Sequence, residues 1–447
     1  VPSGRDLASE LAVSRIVITA AYEQLIIEGY LIGRTGAGTF VSETIPDKLL
    51  NTGFNKVPAK NKYADKRTLS APKPANLPGD RIDYTAFQIG LPSIDSFPNK
   101  IWHQCANHVL KELKSIHLGY EDTFGYWPLR KSVAAYLRIS RGVKCEAEQV
   151  IITTGSQQGL NLIARVLLKE NSCVWMEDPG YFGFKAALKD IGVTPNPVPI
   201  SKHGIDIHLA HQKYGPGELV YVTPSYQFPL GHTLTYERRK KLISYAARHS
   251  MWIVEDDYDS EFRYQGNPHA SLQGLDEYAK VIYSGTFSKS LFPGLRLAYL
   301  VIPDMDILPA FREAKDTIDR QSPILEQALL AKFMEDGHFS RHIRKMRLLY
   351  AQRQQFLIEF LNRYCKSYLT YQVSPAGMHL RCKVKKEINV EKFKDNLAIA
   401  GLRVVFVDDF AIKYFYPGQF LLGYTAFTRY QIKMATEKLA GCLRDSL

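Results

Sequence analysis

The spacing of apolar residues near the start of the chain predicts two short helices and a hairpin. Leu7 and Leu11 stand four apart behind Ser3 or Gly4, either of which can open a helix, and Ala12-Val13 then forms a tight connection. Ser14 opens a second helix, on which the four-residue steps of Val17, Ala21 and Leu25 predict the inward face. Gly29 stops it, and the β-prone segments Tyr30 to Ile32 and Thr39 to Val41 flank a glycine-rich tip, Gly33-Arg34-Thr35-Gly36-Ala37-Gly38.

Periodicity then fades. From about Glu43 to Arg81 the chain is rich in Pro, Asn and Lys, the composition of a basic, semi-extended linker. After Asp83 buried strands alternate with helices. Val150 to Thr153, Val174 to Met176, Leu219 to Val222, Trp252 to Glu255, Val281 to Ser284 and Leu297 to Ile302 are the predicted strands; Gln157 to Leu168, Phe182 to Asp190 and Tyr236 to Arg248 are among the helices between them. This predicts an α/β body with a mostly parallel sheet covered on both faces. Beyond about Ser322 a long helical region leads to a smaller α+β segment. The expected organisation is a head over residues 1–44, a linker over 45–82 and a body over 83–447 whose small subdomain begins near 330.

Composition narrows the class of protein without naming it. The 447 residues are 45% hydrophobic and 23% charged, which excludes a disordered or collagen-like chain. The six cysteines are scattered, with no CxxC pair and no zinc-finger spacing, so neither a disulfide framework nor a structural metal is expected. No apolar run approaches the roughly 18 to 20 residues that cross a bilayer, and Val1 to Asp6 lacks the start of a secretory leader, so no membrane partner and a cytoplasmic location are expected. The net charge of +12 suits a polyanionic partner, although many basic enzymes share it.

Two sets of residues carry chemistry. A helix-turn-helix places the start of its second helix on base edges. Arg15 holds that place, Arg5 and Ser14 lie at helix starts suited to phosphate, and Thr19, Arg34, Thr35 and Gly36 complete the candidate DNA-binding surface. In the body, Lys289 lies in Ser284-Gly285-Thr286-Phe287-Ser288-Lys289, after a strand and before Arg296. A desolvated lysine beside other cations has a lowered pKa, and its neutral amine can condense with an aldehyde. Thr286, Ser288 and Arg296 suit a phosphate next to it, and so do Ser156 and Gln157 at a strand-to-helix turn. Asp256 can pair with a protonated ring nitrogen, Tyr258 with a ring hydroxyl, and Tyr181 can stack on a ring.

The head segments Val1 to Ala8, Ala12 to Arg15, Ala21 to Leu25, Glu28 to Tyr30 and Gly36 to Phe40 resemble the winged helix-turn-helix of GntR-type bacterial regulators. In that family an opening helix lies before the position of Val1, so a head lacking that helix is expected; Ile16-Val17 stands where small polar residues are common. The body resembles fold-type I aminotransferases, whose cofactor is pyridoxal 5'-phosphate (PLP). The resemblance implies that Lys289 forms the Schiff base with PLP, Asp256 pairs with the pyridine nitrogen, Tyr258 meets the ring hydroxyl and Tyr181 stacks. It further implies that Ser156, Gln157, Thr286, Ser288 and Arg296 hold the phosphate and that Tyr120 reaches the phosphate of a partner subunit in a homodimer.

Head, linker and body together resemble the MocR subfamily of GntR-type regulators, which includes GabR-like and PdxR-like members. The segments Gln88 to Pro92, Thr223 to Pro229 and Glu255 to Phe262 carry that likeness. Phe228 stands where the enzymes keep an Asn, Leu421 where they keep the arginine for an amino-acid carboxylate, and Gly183 where GABA-responsive members place a second arginine. The expectation is a DNA-binding transcriptional regulator that senses PLP or a small amino compound through Lys289 and binds double-stranded operator DNA. The alternatives are a working aminotransferase with a vestigial head and a cofactor-free dimerisation scaffold.

Overall fold

The computed structural model describes residues 1–34, 36–43, 86–112, 119–266, 269–385 and 387–447; Thr35 and the linker expected over 45–82 lie outside the described residues. The chain divides into two compact units, Val1–Leu77 and Pro78–Leu447.

The first unit consists of α1 (Gly4–Glu10), α2 (Arg15–Ile27) and the antiparallel hairpin β1 (Leu31–Arg34) and β2 (Gly38–Val41). Ser3 caps α1, its Oγ accepting from the Asp6 amide at 3.2 Å. The turn into α2 passes through Ala12 at φ 52°. The inward face of α2 differs from the expected one: Ile18 is buried, whereas Val17 is 55% exposed and Ala21 and Leu25 also face outward. The cause lies in α1, whose inner face is built from Gly4 and Ala8. Such small residues let the helices approach, a Cβ at Gly4 would stand 3.8 Å from Ile18 Cγ2, and the branched side chain that fills this gap sets the rotation of α2. Tyr22, four residues on, follows Ile18 inward and donates to the Pro2 carbonyl at 3.0 Å.

In the second unit an eight-stranded sheet runs in the order β3-β10-β9-β8-β7-β4-β5-β6. The strands are β3 (Val150–Thr153), β4 (Val174–Asp178), β5 (Asn196–Ser201), β6 (Gly204–Ile205), β7 (Leu219–Val222), β8 (Trp252–Asp257), β9 (Val281–Thr286) and β10 (Ala298–Val301). From β9 through β5 all neighbours are parallel, and β10 is antiparallel to both of its neighbours. Side chains alternate across the sheet. Val220, Val222 and Ile253 pack with Leu242 and Ala246 of the helix Tyr236–Arg248, while Leu219, Tyr221 and Val254 pack with the helices Ser156–Leu167 and Phe182–Asp190. Both faces are therefore apolar, which explains the unbroken hydrophobic runs in the sequence. A long helix, His338–Tyr364, leads to a four-stranded antiparallel sheet, β11 (Leu369–Gln372), β12 (His379–Val384), β14 (Gln419–Gly423) and β13 (Val405–Phe406), closed by the helix Arg429–Arg444.

The C-terminal ends of β3, β8 and β9 open on the same edge of the sheet, where open α/β folds bind their ligands.

Candidate functional site

Lys289 lies on a single helical turn, Phe287–Ser290, directly after β9, and its Nζ donates to the Gly90 carbonyl at 2.9 Å. Gly90 has φ +70°, and a Cβ there would stand 2.7 Å from the amine, so only glycine lets this loop close over it. Burial lowers the amine's pKa, opposed first by the carboxylate of Asp259 and then by that of Asp256.

Asp256, the last residue but one of β8, meets Tyr221, whose hydroxyl donates to its Oδ2 at 2.5 Å. Burial raises its carboxyl to about 6, against that hydrogen bond. Tyr181 is held in the same field: burial, then the Asp256 charge, pushes its hydroxyl up to about 12, with Arg296 acting in the opposite direction. Its ring meets that of Phe228 edge-on at 6.0 Å. Tyr258 is governed by burial and by Asp259, Tyr226 and Asp256, and its hydroxyl donates to the Tyr226 carbonyl at 3.0 Å.

On the other side of the lysine, two turns and a guanidinium converge. Thr286 caps the lysine's helical turn, its Oγ1 accepting from the Ser288 amide at 3.2 Å. Gly155, at φ +90°, precedes Ser156, the first residue of the helix Ser156–Leu167, whose early amides lack helical acceptors. Arg296, at φ 54°, swings its guanidinium over Gly155; Nη2 donates to the Thr154 carbonyl at 3.3 Å, and a Cβ at Gly155 would stand 2.7 Å from it. The Gln157 side chain turns aside, donating to the Gly183 carbonyl at 2.8 Å and to Asn161 at 3.1 Å, so only its backbone amide remains directed to this corner. A cationic fork, two hydroxyls and a helix start are the kinds of donor that a tetrahedral dianion takes.

The structure thus brings together Lys289, Asp256, Tyr181, Tyr258, Ser156, Thr286, Ser288 and Arg296, with Gln157 alongside. Tyr120 stands apart in the single chain. It is 77% exposed, with the Arg320 guanidinium 3.9 Å over its ring. Sequence reasoning missed Asp259, Ser284 and Glu177. The buried Oδ2 of Asp259 and Oγ of Ser284 have no hydrogen-bond partner, and Ser284 pairs in register with Asp256. Glu177, raised by burial to about 7, accepts from the Thr223 amide and hydroxyl at 3.0 and 2.7 Å. Asp259 lies within the acidic run Glu255 to Phe262, and only the fold distinguishes it from Asp257, whose Oδ2 pairs with Arg141 at 2.8 Å while its Oδ1 is likewise left without a partner.

Packing occupies the two positions that depart from the enzymes, Phe228 and Leu421, and Gly183, which departs from the GABA-responsive regulators. Leu421 is fully buried in one cluster with Ile89, Val407 and Phe410, and Phe228 packs against it. A Cβ at Gly183 would stand 2.4 Å from the Tyr181 ring and 2.7 Å from Gln157 Oε1, so no longer side chain fits there.

In the head, Arg5, Ser14, Arg15, Thr19, Arg34 and Gly36 are all exposed. Arg15 is the first residue of α2, and the Ser14 hydroxyl makes no cap bond, while Thr19 Oγ1 is turned back onto the Arg15 carbonyl at 2.9 Å. Arg34, the last residue of β1 beside the tip of the wing, lies 5.3 Å over the Phe40 ring, and Gly36 takes φ +78° at the tip.

Comparison with known proteins agrees with this geometry. Residues 98–438 match the family of class I and II aminotransferases, and residues 1–41 match the gntR family of bacterial regulatory proteins. LysN, the α-aminoadipate aminotransferase of Thermus thermophilus, solved with N-(5'-phosphopyridoxyl)-L-leucine, superposes with a TM-score of 0.73 at 29% identity, over 80% of this chain and 91% of that one. The body therefore has the fold-type I aminotransferase fold. The probable rhizopine catabolism regulatory protein MocR of Rhizobium meliloti is 36% identical over 88% of this chain and 78% of its own length. The regulator TauR of Rhodobacter capsulatus is 33% identical over 80% and 74%. The chain belongs to the MocR family of regulators, in which a gntR-type head is fused to an aminotransferase-like body.

Proposed function

We propose that the protein is a PLP-dependent transcriptional regulator: its head binds operator DNA and its body holds PLP at Lys289. The observation that carries this reading is the partly buried lysine amine, in the field of Asp259 and Asp256 and flanked by the cradle of Arg296, Gly155 and Thr286. Gly155 fits the group because a side chain there would collide with the Arg296 guanidinium and displace it, and the unpartnered Ser284 and Asp259 leave polar capacity in the site. Bound PLP would supply an aldehyde reactive toward primary amines.

The chain's own residues then have distinct tasks. Arg296, Thr286, Ser288 and the amides at Ser156 and Gln157 bind the phosphate. Asp256 holds negative charge toward the ring nitrogen, Tyr221 keeps that carboxylate oriented, and Tyr181 covers the ring. Burial lowers the pKa of the Lys289 amine and so favours its reactive, neutral form.

The buried Leu421 stands where the enzymes keep the carboxylate arginine and the crowded Gly183 where GABA-responsive members place a second one, so neither position supplies a guanidinium, which favours PLP itself, rather than an ordinary amino acid, as the signal. A ligand alters DNA binding only through different affinities for two arrangements of the protein. We further propose that the regulator is a cytoplasmic homodimer in which Tyr120 completes the partner's phosphate site; among the described residues no helix is long and apolar enough to cross a membrane. The test is a titration of PLP and of candidate amines in the presence of operator DNA, followed by the visible absorbance of the cofactor. A band that forms with PLP and leaves DNA affinity unchanged would reject the sensing role.

A further inference from the structure

Gln158 lies in the first turn of the helix Ser156–Leu167, and its side chain folds back toward the residue before Gly155. Its Oε1 accepts from the Thr154 amide at 2.7 Å, and its Nε2 donates to Asp319 Oδ2, also at 2.7 Å. The two partners fix which way the side-chain amide points, because a backbone N–H can only donate and a carboxylate can only accept. Thr154 is also the residue whose carbonyl takes Arg296 Nη2 at 3.3 Å, and its hydroxyl lies 3.1 Å from that of Ser322.

Asp319 is itself firmly placed. Its Oδ1 accepts from Lys315 Nζ at 2.8 Å, and the Lys315 side chain is fully buried. Burial lowers the pKa of that amine, and the hydrogen bond to Asp319 and its charge oppose the fall. A buried cation holds its carboxylate closely, because either charge left alone is costly. The turn that follows is pinned as well. The Lys315 carbonyl accepts from the amides of Asp319 and Arg320, each at 3.1 Å, and Gln321 Oε1 accepts from the Glu121 amide at 2.6 Å. A continuous path of hydrogen bonds therefore runs from Lys315 through Asp319, Gln158 and Thr154 to the Arg296 guanidinium.

We propose that Asp319 and Gln158 are positioning residues for the phosphate of PLP, acting through Thr154 on the corner over which Arg296 lies. The inference rests on the reading of the body as a PLP site and extends it to a pair 161 positions apart in sequence. A guanidinium recognises phosphate through the geometry of its fork, so a loosened corner weakens phosphate binding and leaves the ring's contacts in place.

The experiment compares PLP with pyridoxal, which has the same ring and aldehyde but no phosphate, by absorbance titration of the full chain. Gln158→Leu removes both hydrogen bonds and keeps the Lys315–Asp319 pair; it should lower PLP affinity about tenfold and alter pyridoxal affinity by less than about twofold. Gln158→Glu keeps an acceptor for the Thr154 amide but sets a second carboxylate against Asp319, and should weaken PLP binding to a similar degree. Adding Asp319→Asn to that variant supplies a donor for the new carboxylate and should restore most of the loss. An equal fall for PLP and pyridoxal in Gln158→Leu, as from a general folding defect, or no fall for either, would overturn the proposal. So would a folded double variant that binds PLP no better than Gln158→Glu alone. Failure of the wild-type chain to bind PLP would instead reject the cofactor reading of the body.

Discussion

Arg296 and Gly155 hold each other in place: the guanidinium lies so close over the glycine that a Cβ there would stand 2.7 Å from Nη2, and both residues have positive φ, 54° and 90°. The strand-to-helix turn before Ser156 and the residue that follows the lysine's loop thus form one unit, although 141 positions separate them in sequence. Gly155→Ala should displace the guanidinium and strain the turn, lowering PLP affinity at least about tenfold. Absorbance titration measures it; wild-type affinity in the variant would show that the two residues do not form a phosphate site.

Asp256 gives a pH signature. Its carboxyl is raised from an ordinary 3.8 to about 6 in the folded protein, by burial first. The stability this group contributes is therefore full below about 3.8 and is lost as pH climbs through about 6. Relative to Asp256→Asn, the cofactor-free protein should lose roughly 2 to 2.5 kcal/mol between pH 4 and pH 7.5, read from denaturant midpoints at each pH. A pH-independent difference between the two proteins would contradict the assignment.

Leu421 tests whether the carboxylate clamp can be restored. It is buried against Val407 and Phe410, so Leu421→Arg places a charge without a partner in an apolar cluster. The variant should be destabilised by about 3 kcal/mol or more and should gain no affinity for simple amino acids. Thermal unfolding and the cofactor's absorbance report the two outcomes separately.

Much of this was legible in the chain because the body's parallel strands are apolar on both faces and stand out as unbroken runs; the predicted Leu219–Val222 and the helices Phe182–Asp190 and Tyr236–Arg248 end where the structure ends them. β5 was not predicted because Pro197 and Pro199 interrupt it, yet it pairs in parallel with β4, Met176 opposite Pro197, near the sheet's edge. The face of α2 was misread for a different reason. That helix is apolar on more than one side, with Ile16 and Ile27 81% and 85% exposed, so its rotation depends on the small residues of α1. In the site, motif residues could be found one by one, whereas Asp259, Ser284 and the closure of Gly90 over Lys289 arise from chain segments that meet only in the fold.

Arg15 begins α2 with an exposed side chain, the place from which a recognition helix reaches base edges. Arg15→Ala should weaken operator binding by about 1 to 3 kcal/mol and relax its sequence preference, whereas Arg5→Ala should weaken all sequences alike. Competition binding with operator and scrambled DNA separates them.

The central claim is that Lys289 couples PLP to DNA. Operator affinity of the wild-type chain and of Lys289→Ala, each measured with and without saturating PLP, tests it most directly. The wild type should change its affinity when PLP is added and show the cofactor's visible band. The variant should lose the band and hold one affinity throughout. A variant that still responds to PLP as the wild type does would contradict the account.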